Sequence, residues 1–375
     1  MIIAVPKETR PGEYRVSLIP DTVKKLIKTG YEINVEKDAG LSAGYETSEY
    51  EKAGAKIYDG VQELFDSAEI ILKVQRPTEE EIEKIKEGKI VIAFFYSLHY
   101  PEIAQKAAAK KLNVISMDAI PRTTLAQKMD ALSSQANLAG YKSVLLSANH
   151  LGKIFPLMMT AAGTISPARV VIMGAGVAGL QALGTAKRLG AVVEVSDIRP
   201  QVKEEVKSLG GRFIEVETDE TMQDEGGYAK EASEEFLQKQ KELIFKHVTE
   251  ADIVITTALV PGKKAPILVT EEMVKNMNPG SVVLDMAVEF GGNCEISEVG
   301  KTVKKYNVTI IGEPNLPSLV SVHASEMYSK NLYNLLTHIG KEGSIDMNMD
   351  DEILKGATIT KDGEVVHQRT KDLLK

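Results

Sequence analysis

The chain has 375 residues, 43% of them apolar and 26% charged, which is an ordinary globular balance with enough length for two domains. The formal net charge of −8, with no basic stripe in the sequence, argues against a nucleic-acid-binding protein. The single cysteine, Cys294, excludes an internal disulfide and fits a reducing compartment.

Short apolar segments alternate with helical patterns in the first third of the chain. The predicted strands are IIAV (2–5), YEINV (31–35), EIILKV (69–74), KIVIAFF (89–95) and LNVIS (112–116). Between them, DTVKKLIKTG and PEIAQKAAAKK predict amphipathic helices, the first of which ends at Gly30. This alternation predicts a mostly parallel sheet that is covered on both faces.

The middle of the chain repeats the pattern more strongly. The predicted strands are RVVIM (169–173), AVVEVSD (191–197), FIEV (213–216), DIVITTA (252–258), SVVLDM (281–286) and VTIIG (308–312), with a helix over 177–189. A long charged insertion occupies 217–250, SVHASEMYSKNLYNLLTHI predicts one long helix after Pro317, and the TKDGE turn predicts a small terminal hairpin or tail. The sequence therefore predicts a second doubly wound unit.

The segment VVIMGAGVAGLQA places Gly174, Gly176 and Gly179 in a G-x-G-x-x-G pattern between a strand and a helix. The first glycine allows a tight turn, the second lets a pyrophosphate approach the backbone, and the third lets the helix pack on the sheet. Free N–H groups at the helix start, including that of Val177, would face the phosphates. The pattern predicts a dinucleotide site, and glycines that serve packing alone are the alternative.

Asp197 ends the next predicted strand, 23 residues after Gly174. A carboxylate at this place accepts hydrogen bonds from the ribose hydroxyls of NAD and repels the additional phosphate of NADP. Arg199 follows two residues later, and an arginine there can accommodate a 2′-phosphate. Because Asp197 stands at the strand end, we give it the greater weight and predict NAD.

Membrane-spanning and metal-binding classes find little support in the sequence. The longest uncharged run, residues 170–186, contains four glycines and is short for a bilayer helix. MIIAVPKETR lacks the basic start and long apolar run of a signal peptide. The six histidines are scattered without a pair at metal-ligand spacing, so we expect no zinc site.

The polar stretch PRTTLAQKMDALSSQANLAGYK (121–142) connects the two strand-rich regions. Asp130 could cap a helix that begins at Ala131, with Ser133 nearby. Capping does not account for Arg122 or Gln127, which precede the helix and could equally be solvated surface residues.

Several segments together resemble domain I of proton-translocating NAD(P) transhydrogenase, in the form of the separate, soluble alpha subunit found in some bacteria. The resemblance covers essentially the whole chain and rests on VPKETRPGEYRVSLIP, PRTTLAQKMDALSSQANLAGY, MMTAAGTISPARVVIMGAGVAGLQALGTAKRLGA, GGYAKE, DIVITTALVPGKKAP and AVEFGGNCE. It implies that NAD(H) binds here and that hydride passes to NADP(H) on a partner subunit. Proton translocation would belong to a membrane-spanning partner.

In that family the connector folds over the NAD nicotinamide. The resemblance implies that Arg122, Gln127, Asp130 and Ser133 contact the nicotinamide and its ribose, and that Gln127 also reaches towards the other nucleotide. Arg122, Gln127 and Asp130 are therefore the expected catalytic group. They would align the hydride donor and acceptor, a task that requires no general acid or base.

Two further segments are candidates for cofactor contact. DEGGYAKEASEEF resembles a mobile loop of the family, which implies that Gly227 and Tyr228 close over the nucleotide, and a solvated helix is the alternative. Ala258 and Leu259 in TTALVPGK follow the carboxyl end of a strand, where cofactor-facing loops occur. They would line the dinucleotide, and an ordinary strand–helix connection is the alternative.

The element order and the resemblance together predict an α/β fold of two doubly wound Rossmann-like domains with mostly parallel sheets. The predicted boundaries are 1–127 with about 338–375 for an alanine-dehydrogenase-like domain, 138–320 for the NAD-binding domain, and linking helices at 128–137 and 321–337. The resemblance also implies a homodimer, held at the cytoplasmic side of the inner membrane by its partner subunits.

Alanine dehydrogenases share the VPKE-x-R start and the two-domain plan, and they are the alternative assignment. In that family an arginine, a lysine and a histidine handle the amino acid, and Arg15, Lys73 and His99 stand at matching places. The Arg-x-x-x-x-Gln-x-x-Asp-x-x-Ser loop is absent from that family, which carries aspartate where Glu289 stands here. A non-catalytic NAD-binding partner is a third possibility, disfavoured because both the loop and the glycine pattern are intact.

Overall fold

The structure is a computed structural model that describes residues 1–215 and 234–375. The chain divides into two compact units. The first unit contains Met1–Ala136 and Pro317–Lys375, and the second contains Asn137–Leu316.

The strands are short and lie at the apolar segments predicted from the sequence, with some additions. In chain order they are β1 (Ile2–Val5), β2 (Glu32–Glu36), β3 (Lys56–Tyr58), β4 (Ile70–Gln75), β5 (Ile90–Phe94), β6 (Asn113–Ser116), β7 (Met158–Thr160), β8 (Gly163–Ile165), β9 (Arg169–Met173), β10 (Val192–Ser196), β11 (Arg212–Phe213), β12 (Ile253–Thr256), β13 (Val282–Asp285), β14 (Lys301–Lys305), β15 (Val308–Gly312), β16 (Gly340–Lys341), β17 (Ser344–Ile345), β18 (Thr358–Lys361) and β19 (Glu364–Val365).

Two long helices, α6 and α11, stand out among many short ones. In chain order the helices are α1 (Pro20–Lys28), α2 (Thr47–Ala53), α3 (Val61–Ser67), α4 (Glu79–Lys84), α5 (Pro101–Ala109), α6 (Ala131–His150), α7 (Val177–Arg188), α8 (Lys203–Ser208), α9 (Glu234–Thr249), α10 (Glu271–Asn276), α11 (Ser321–Ile339), α12 (Glu352–Ala357) and α13 (Gln368–Leu373). The long helices begin at Ala131 and Ser321, the starts that the sequence indicates.

The first unit is built on an eight-stranded sheet with the order β19-β18-β6-β5-β4-β1-β2-β3. The strands β1 to β6 pair in parallel, and β18 adds to β6 in the antiparallel sense. Alternate residues of β1 enter different cores: Ile3 and Val5 pack in one cluster, and Ala4 packs in another. The sheet is therefore covered on both faces, as predicted from the strand–helix alternation.

The second unit is built on a sheet with the order β11-β10-β9-β12-β13-β15-β14. Its strands pair in parallel apart from β14, which is antiparallel to β15 at the edge. From β9 the order runs outwards in both directions, so the switch of direction lies between β9 and β12. Ligands of doubly wound sheets bind outside the carboxyl ends of the strands at such a point.

Three features differ from the sequence-based expectation. The TKDGE hairpin is β18–β19, and it also extends the first sheet instead of standing alone as a tail. The strand predicted at FIEV is short, with β11 covering Arg212–Phe213. The segment 321–337, assigned to a linking helix, lies within the first unit because the Tyr328, Leu332 and Leu335 side chains of α11 are buried in its core.

Candidate functional site

The G-x-G-x-x-G segment forms the turn between β9 and α7. Gly174 has φ +113°, and a Cβ built there would lie 2.4 Å from Thr257 Oγ1. A Cβ at Gly179 would lie 1.8 Å from the Gly174 carbonyl oxygen. The turn conformation and the close packing of α7 on the turn therefore require these two glycines.

Gly176 differs from both of these glycines. A Cβ there would meet nothing within 4 Å among the described residues, and the backbone (φ −77°, ψ −174°) is open to any residue. Packing therefore does not explain the glycine, whereas space for a ligand beside the backbone does. The adjacent Val177, 40% exposed, begins α7, so free N–H groups at the start of this twelve-residue helix suit a phosphate. The turn fits the pyrophosphate of a dinucleotide.

Asp197 follows β10, the strand next to β9, and bonds directly to the turn. Its Oδ2 atom accepts a 2.7 Å hydrogen bond from the backbone N–H of Ala175. Its Oδ1 atom accepts hydrogen bonds from the backbone N–H of Arg199 at 2.8 Å and from Arg199 Nε at 3.0 Å, and Arg199 Nη2 donates to Oδ2 at 3.1 Å. Burial opposes ionisation of Asp197, but these hydrogen bonds outweigh it and lower the pKa of the carboxyl. Asp197 is therefore a charged acceptor beside the phosphate turn.

Ala258 and Leu259 follow β12, on the other side of β9 from Asp197. Leu259 is exposed, and Ala258 is held by the side chain of Asn293. The buried Asn293 accepts a 3.0 Å hydrogen bond from the Ala258 N–H and donates to the Ala258 carbonyl at 2.9 Å and to the Pro266 carbonyl at 2.8 Å. The sequence analysis missed Asn293, and its only signal was its position after the paired glycines of EFGGN.

The connector contains a one-turn 3-10 helix, Leu125–Met129. Its Ala126 and Met129 side chains are buried in the core of the first unit. Arg122 and Gln127, between and before these anchors, are exposed. The fold therefore fixes the segment by its apolar side chains and leaves the two candidate polar side chains accessible.

Asp130 caps the helix that follows it. Its Oδ1 atom accepts a 2.8 Å hydrogen bond from the Ser133 N–H, and its Oδ2 atom accepts a 2.6 Å hydrogen bond from Ser133 Oγ. This is the N-cap arrangement that the sequence offers as the simpler explanation for the two residues. Capping fixes the direction of the carboxylate, so Asp130 is rigidly placed beside Gln127.

Two asparagines of α11 hold the same connector. The side-chain amides of Asn331 and Asn334 donate to the Lys128 carbonyl at 2.9 and 3.1 Å, and Asn331 Oδ1 accepts a 2.8 Å hydrogen bond from Ser134 Oγ. Lys128 follows Gln127 directly, so the asparagines fix the backbone next to the candidate aligning side chain. Neither asparagine was a candidate from the sequence, because about 200 residues separate them from Lys128.

Lys73, one of the residues that match the alanine dehydrogenase pattern, is buried with two carboxylates. Its Nζ atom lies 3.0 Å from Glu81 Oε1 and 3.3 Å from Glu8 Oε2, and its side chain is 1% exposed. Burial opposes its charge, but the two carboxylates outweigh burial and raise the pKa of Lys73. Lys73 is therefore a charged, internally paired residue.

Arg15 is also paired internally. Glu13 accepts from its Nε at 2.7 Å and from its Nη2 at 2.6 Å, while Gln135 Oε1 accepts from Nη1 at 2.8 Å. The guanidinium that would bind a substrate carboxylate is thus already occupied by a carboxylate of the chain. Burial lowers the pKa of His99, which favours the neutral imidazole. The contacts of Arg15 and Lys73 do not favour an amino-acid site.

Some sequence candidates lie outside the described residues. Gly226, Gly227 and Tyr228, of the segment compared with a mobile loop, belong to 216–233. In residues 1–215 and 234–375, no helix is long and apolar enough to cross a membrane. Within the same ranges, no group of three or more His, Cys, Asp or Glu side chains could hold a metal ion.

Comparison with known proteins identifies relatives over the whole chain. Residues 4–139 match the family "Alanine dehydrogenase/PNT, N-terminal domain", and residues 143–368 match "Alanine dehydrogenase/PNT, C-terminal domain". The first of the chains that make up the NAD(P) transhydrogenase alpha subunit of Rhodospirillum rubrum is 47% identical over 376 residues, with 98% of each chain covered. Alanine dehydrogenase of Bacillus subtilis is 29% identical, with 98% of this chain and 93% of that protein covered.

A solved structure agrees with the sequence comparison. The crystal structure of transhydrogenase from Sinorhizobium meliloti superposes with a TM-score of 0.88 at 44% identity, covering 98% of this chain and 100% of that one. The two-domain α/β fold with mostly parallel sheets is thereby confirmed. The chain belongs to the alanine dehydrogenase/PNT family, and it is more similar to the transhydrogenase alpha subunits than to the alanine dehydrogenases.

Proposed function

We propose that this chain is the NAD(H)-binding subunit of a proton-translocating transhydrogenase. The observation that carries the proposal is the phosphate turn: Gly176 leaves ligand space at the start of α7, and the charged carboxylate of Asp197 stands beside it. The 47% identity to a transhydrogenase alpha subunit over almost the whole chain supports the same assignment.

Each unit has its own role in the proposed reaction. In the second unit, the turn at Gly174 to Gly179 binds the pyrophosphate, Asp197 accepts the ribose hydroxyls, and the segment that begins at Ala258 lines the dinucleotide. In the first unit, the connector from Arg122 to Ser133 binds the nicotinamide and its ribose. Bound NADH supplies the hydride that reduces NADP on a partner subunit.

The connector residues would act by alignment. No proton is exchanged at the reacting carbons, so the site needs two rings held close together, with water excluded, more than it needs an acid or a base. Asp130 is fixed by its hydrogen bonds to Ser133, and the backbone beside Gln127 is fixed by Asn331 and Asn334. Such a rigid support suits a residue that positions a ring.

The proton-translocating step would belong to membrane-spanning partner subunits, which would hold this chain at the cytoplasmic face of the inner membrane. Movement of protons across a bilayer requires ionisable groups within the membrane. The subunit naming of the Rhodospirillum rubrum relative supports a multi-subunit assembly.

We also propose that the chain forms a homodimer through the β7–β8 hairpin. The two strands pair with each other, and their residues are exposed on both faces. Met159 is 76% exposed, Leu157 56% and Ile165 48%. Exposed apolar surface of this kind marks an interaction site. Met159→Glu should shift the sedimentation coefficient from dimer to monomer, whereas Leu209→Glu, at an exposed leucine elsewhere in this unit, should not.

The decisive test follows labelled hydride. The chain would be mixed with the NADP-binding domain of a transhydrogenase, NADP, pyruvate, ammonium and NADH that carries deuterium at the transferable position. We expect deuterium in NADPH, and only when the partner domain is present. Deuterium in alanine would instead make the chain an amino-acid dehydrogenase. NADH binding with no transfer to either acceptor would make it a non-catalytic partner.

Gln127→Asn tests the alignment role separately. Shortening this exposed side chain by one methylene withdraws its amide without changing its chemistry. We expect slower hydride transfer with nearly unchanged NADH affinity. A loss of affinity in proportion to the loss of rate would show that Gln127 binds the nucleotide but does not align it.

A further inference from the structure

The Asp197 carboxylate is already saturated with hydrogen-bond donors. Each oxygen accepts two: Oδ1 from the backbone N–H and Nε of Arg199, and Oδ2 from the Ala175 N–H and Arg199 Nη2. A carboxylate has about four acceptor positions. Two ribose hydroxyls can therefore donate to Asp197 only if two of these donors leave.

The four donors differ in how easily they can leave. The Ala175 and Arg199 N–H groups belong to the backbone of the phosphate turn and of the loop after β10, so they are fixed by the fold. The other two belong to the Arg199 guanidinium, whose side chain is 48% exposed, whereas the Asp197 side chain is 6% exposed. The guanidinium can move into water, and its departure frees one position on each carboxylate oxygen.

We propose that Arg199 is an internal competitor for the ribose site and sets the selectivity between the two nicotinamide dinucleotides. This inference rests on the proposed NAD(H) role. A dinucleotide binds Asp197 by displacing the Arg199 guanidinium, so Arg199 weakens NAD(H) binding. Once displaced, the guanidinium remains within side-chain reach of the ribose 2′ position and can pair with a 2′-phosphate.

Two consequences follow for a nucleotide that carries the additional phosphate. Asp197 repels that phosphate, while the released guanidinium attracts it and can bind it with two N–H groups. Arg199 therefore narrows the preference for NAD(H) over NADP(H). Arginine and lysine should differ here, because a lysine cannot donate to both carboxylate oxygens in this planar, two-pronged geometry.

The test compares wild type, Arg199→Ala and Arg199→Lys by fluorescence titration with NADH and with NADPH. Arg188→Ala is the matched control, since it removes an exposed arginine of the same unit at the end of α7. Loss of a part-exposed ion pair predicts that Arg199→Ala tightens NADH binding about two- to fivefold. Loss of a charge-assisted phosphate contact predicts that it weakens NADPH binding about tenfold or more. Arg199→Lys should lie between wild type and Arg199→Ala.

Thermal unfolding of the same proteins separates this role from a structural one. Arg199→Ala keeps both backbone donors to Asp197, so its melting temperature should stay close to that of Arg188→Ala. Unchanged or weaker NADH binding by Arg199→Ala, with wild-type stability, would overturn the inference and leave the NAD(H) role standing. Failure of the wild-type chain to bind NADH would overturn both.

Discussion

Gly176→Ala is a sharp probe of the phosphate turn because the structure predicts opposite effects on folding and on binding. The added Cβ meets nothing within 4 Å among the described residues, and the backbone conformation suits alanine. Glycine is the better N-cap, but alanine restricts the unfolded chain, so we expect the free energy of unfolding to change by less than about 1 kcal/mol.

Binding should respond much more strongly. The methyl group would occupy the space through which a pyrophosphate reaches the N–H groups at the start of α7. Hydrogen bonds to a charged group contribute about 1.5–3 kcal/mol each, so loss of one such contact should weaken NADH binding about ten- to a hundredfold.

Gly184→Ala and Gly179→Ala complete the comparison. Gly184 lies within α7 with its nearest atom 3.6 Å away, so alanine there should stabilise the fold by about 0.5–1 kcal/mol and leave NADH affinity unchanged. Gly179→Ala should destabilise the fold, because its Cβ would lie 1.8 Å from a backbone carbonyl. Urea unfolding and NADH titration measure both quantities. Wild-type NADH affinity in Gly176→Ala would refute the placement of the pyrophosphate.

Further predictions concern the support of the connector, the buried lysine and acid stability. Asn331→Ala removes two hydrogen bonds at a buried position and should lower the free energy of unfolding by about 1–3 kcal/mol, while slowing hydride transfer more than it weakens NADH binding. Lys73→Met leaves two buried carboxylates without their cation and should cost about 3–5 kcal/mol in urea unfolding. The lowered pKa of Asp197 adds stability above its ordinary pKa of 3.8, and this is lost as the pH falls through the lower value of the folded state. The stability difference between wild type and Asp197→Asn should therefore narrow as the pH falls below 3.8.

Each of these predictions has a contrasting variant or outcome. Asn334→Ala removes a half-buried donor to the same carbonyl as Asn331 and should cost less than Asn331→Ala. Lys84→Met removes an exposed lysine and should change stability by less than about 0.5 kcal/mol. A pH-independent difference for Asp197→Asn would show that ionisation of the carboxyl does not contribute to stability.

The strands of both sheets were predictable because strands buried on both faces are continuous apolar runs. β1, β9 and β15 have the predicted bounds, and the others predicted fall within two residues of them, apart from β11. β14, the sequence KTVKK, was missed because its alternating lysines resemble a surface loop, yet it forms an edge strand, where charged residues are common. The hairpin of β7 and β8 was missed because it has no buried face to impose a pattern.

The phosphate turn was also predictable, since its three glycines, its strand and its helix are contiguous in sequence. The side-chain contacts were a different matter. Asn293 bonds to Ala258 across 35 residues, and Asn331 bonds to Lys128 across 203. The sequence placed Asp197 and Arg199 two residues apart but did not show that they occupy each other.

The sequence by itself determined the two α/β units, the strand that leads into the phosphate turn, and the helix that begins beside Asp130. These depend on apolar periodicity, glycine conformation and capping, which act over a few residues. Only the tertiary structure decided that Arg15 and Lys73 are paired with internal carboxylates, that Gly176 faces open space, and that the guanidinium of Arg199 covers Asp197. Hydrogen bonds and ion pairs form only when donor and acceptor atoms lie about 3 Å apart, and that distance is set by packing between segments far apart in the chain.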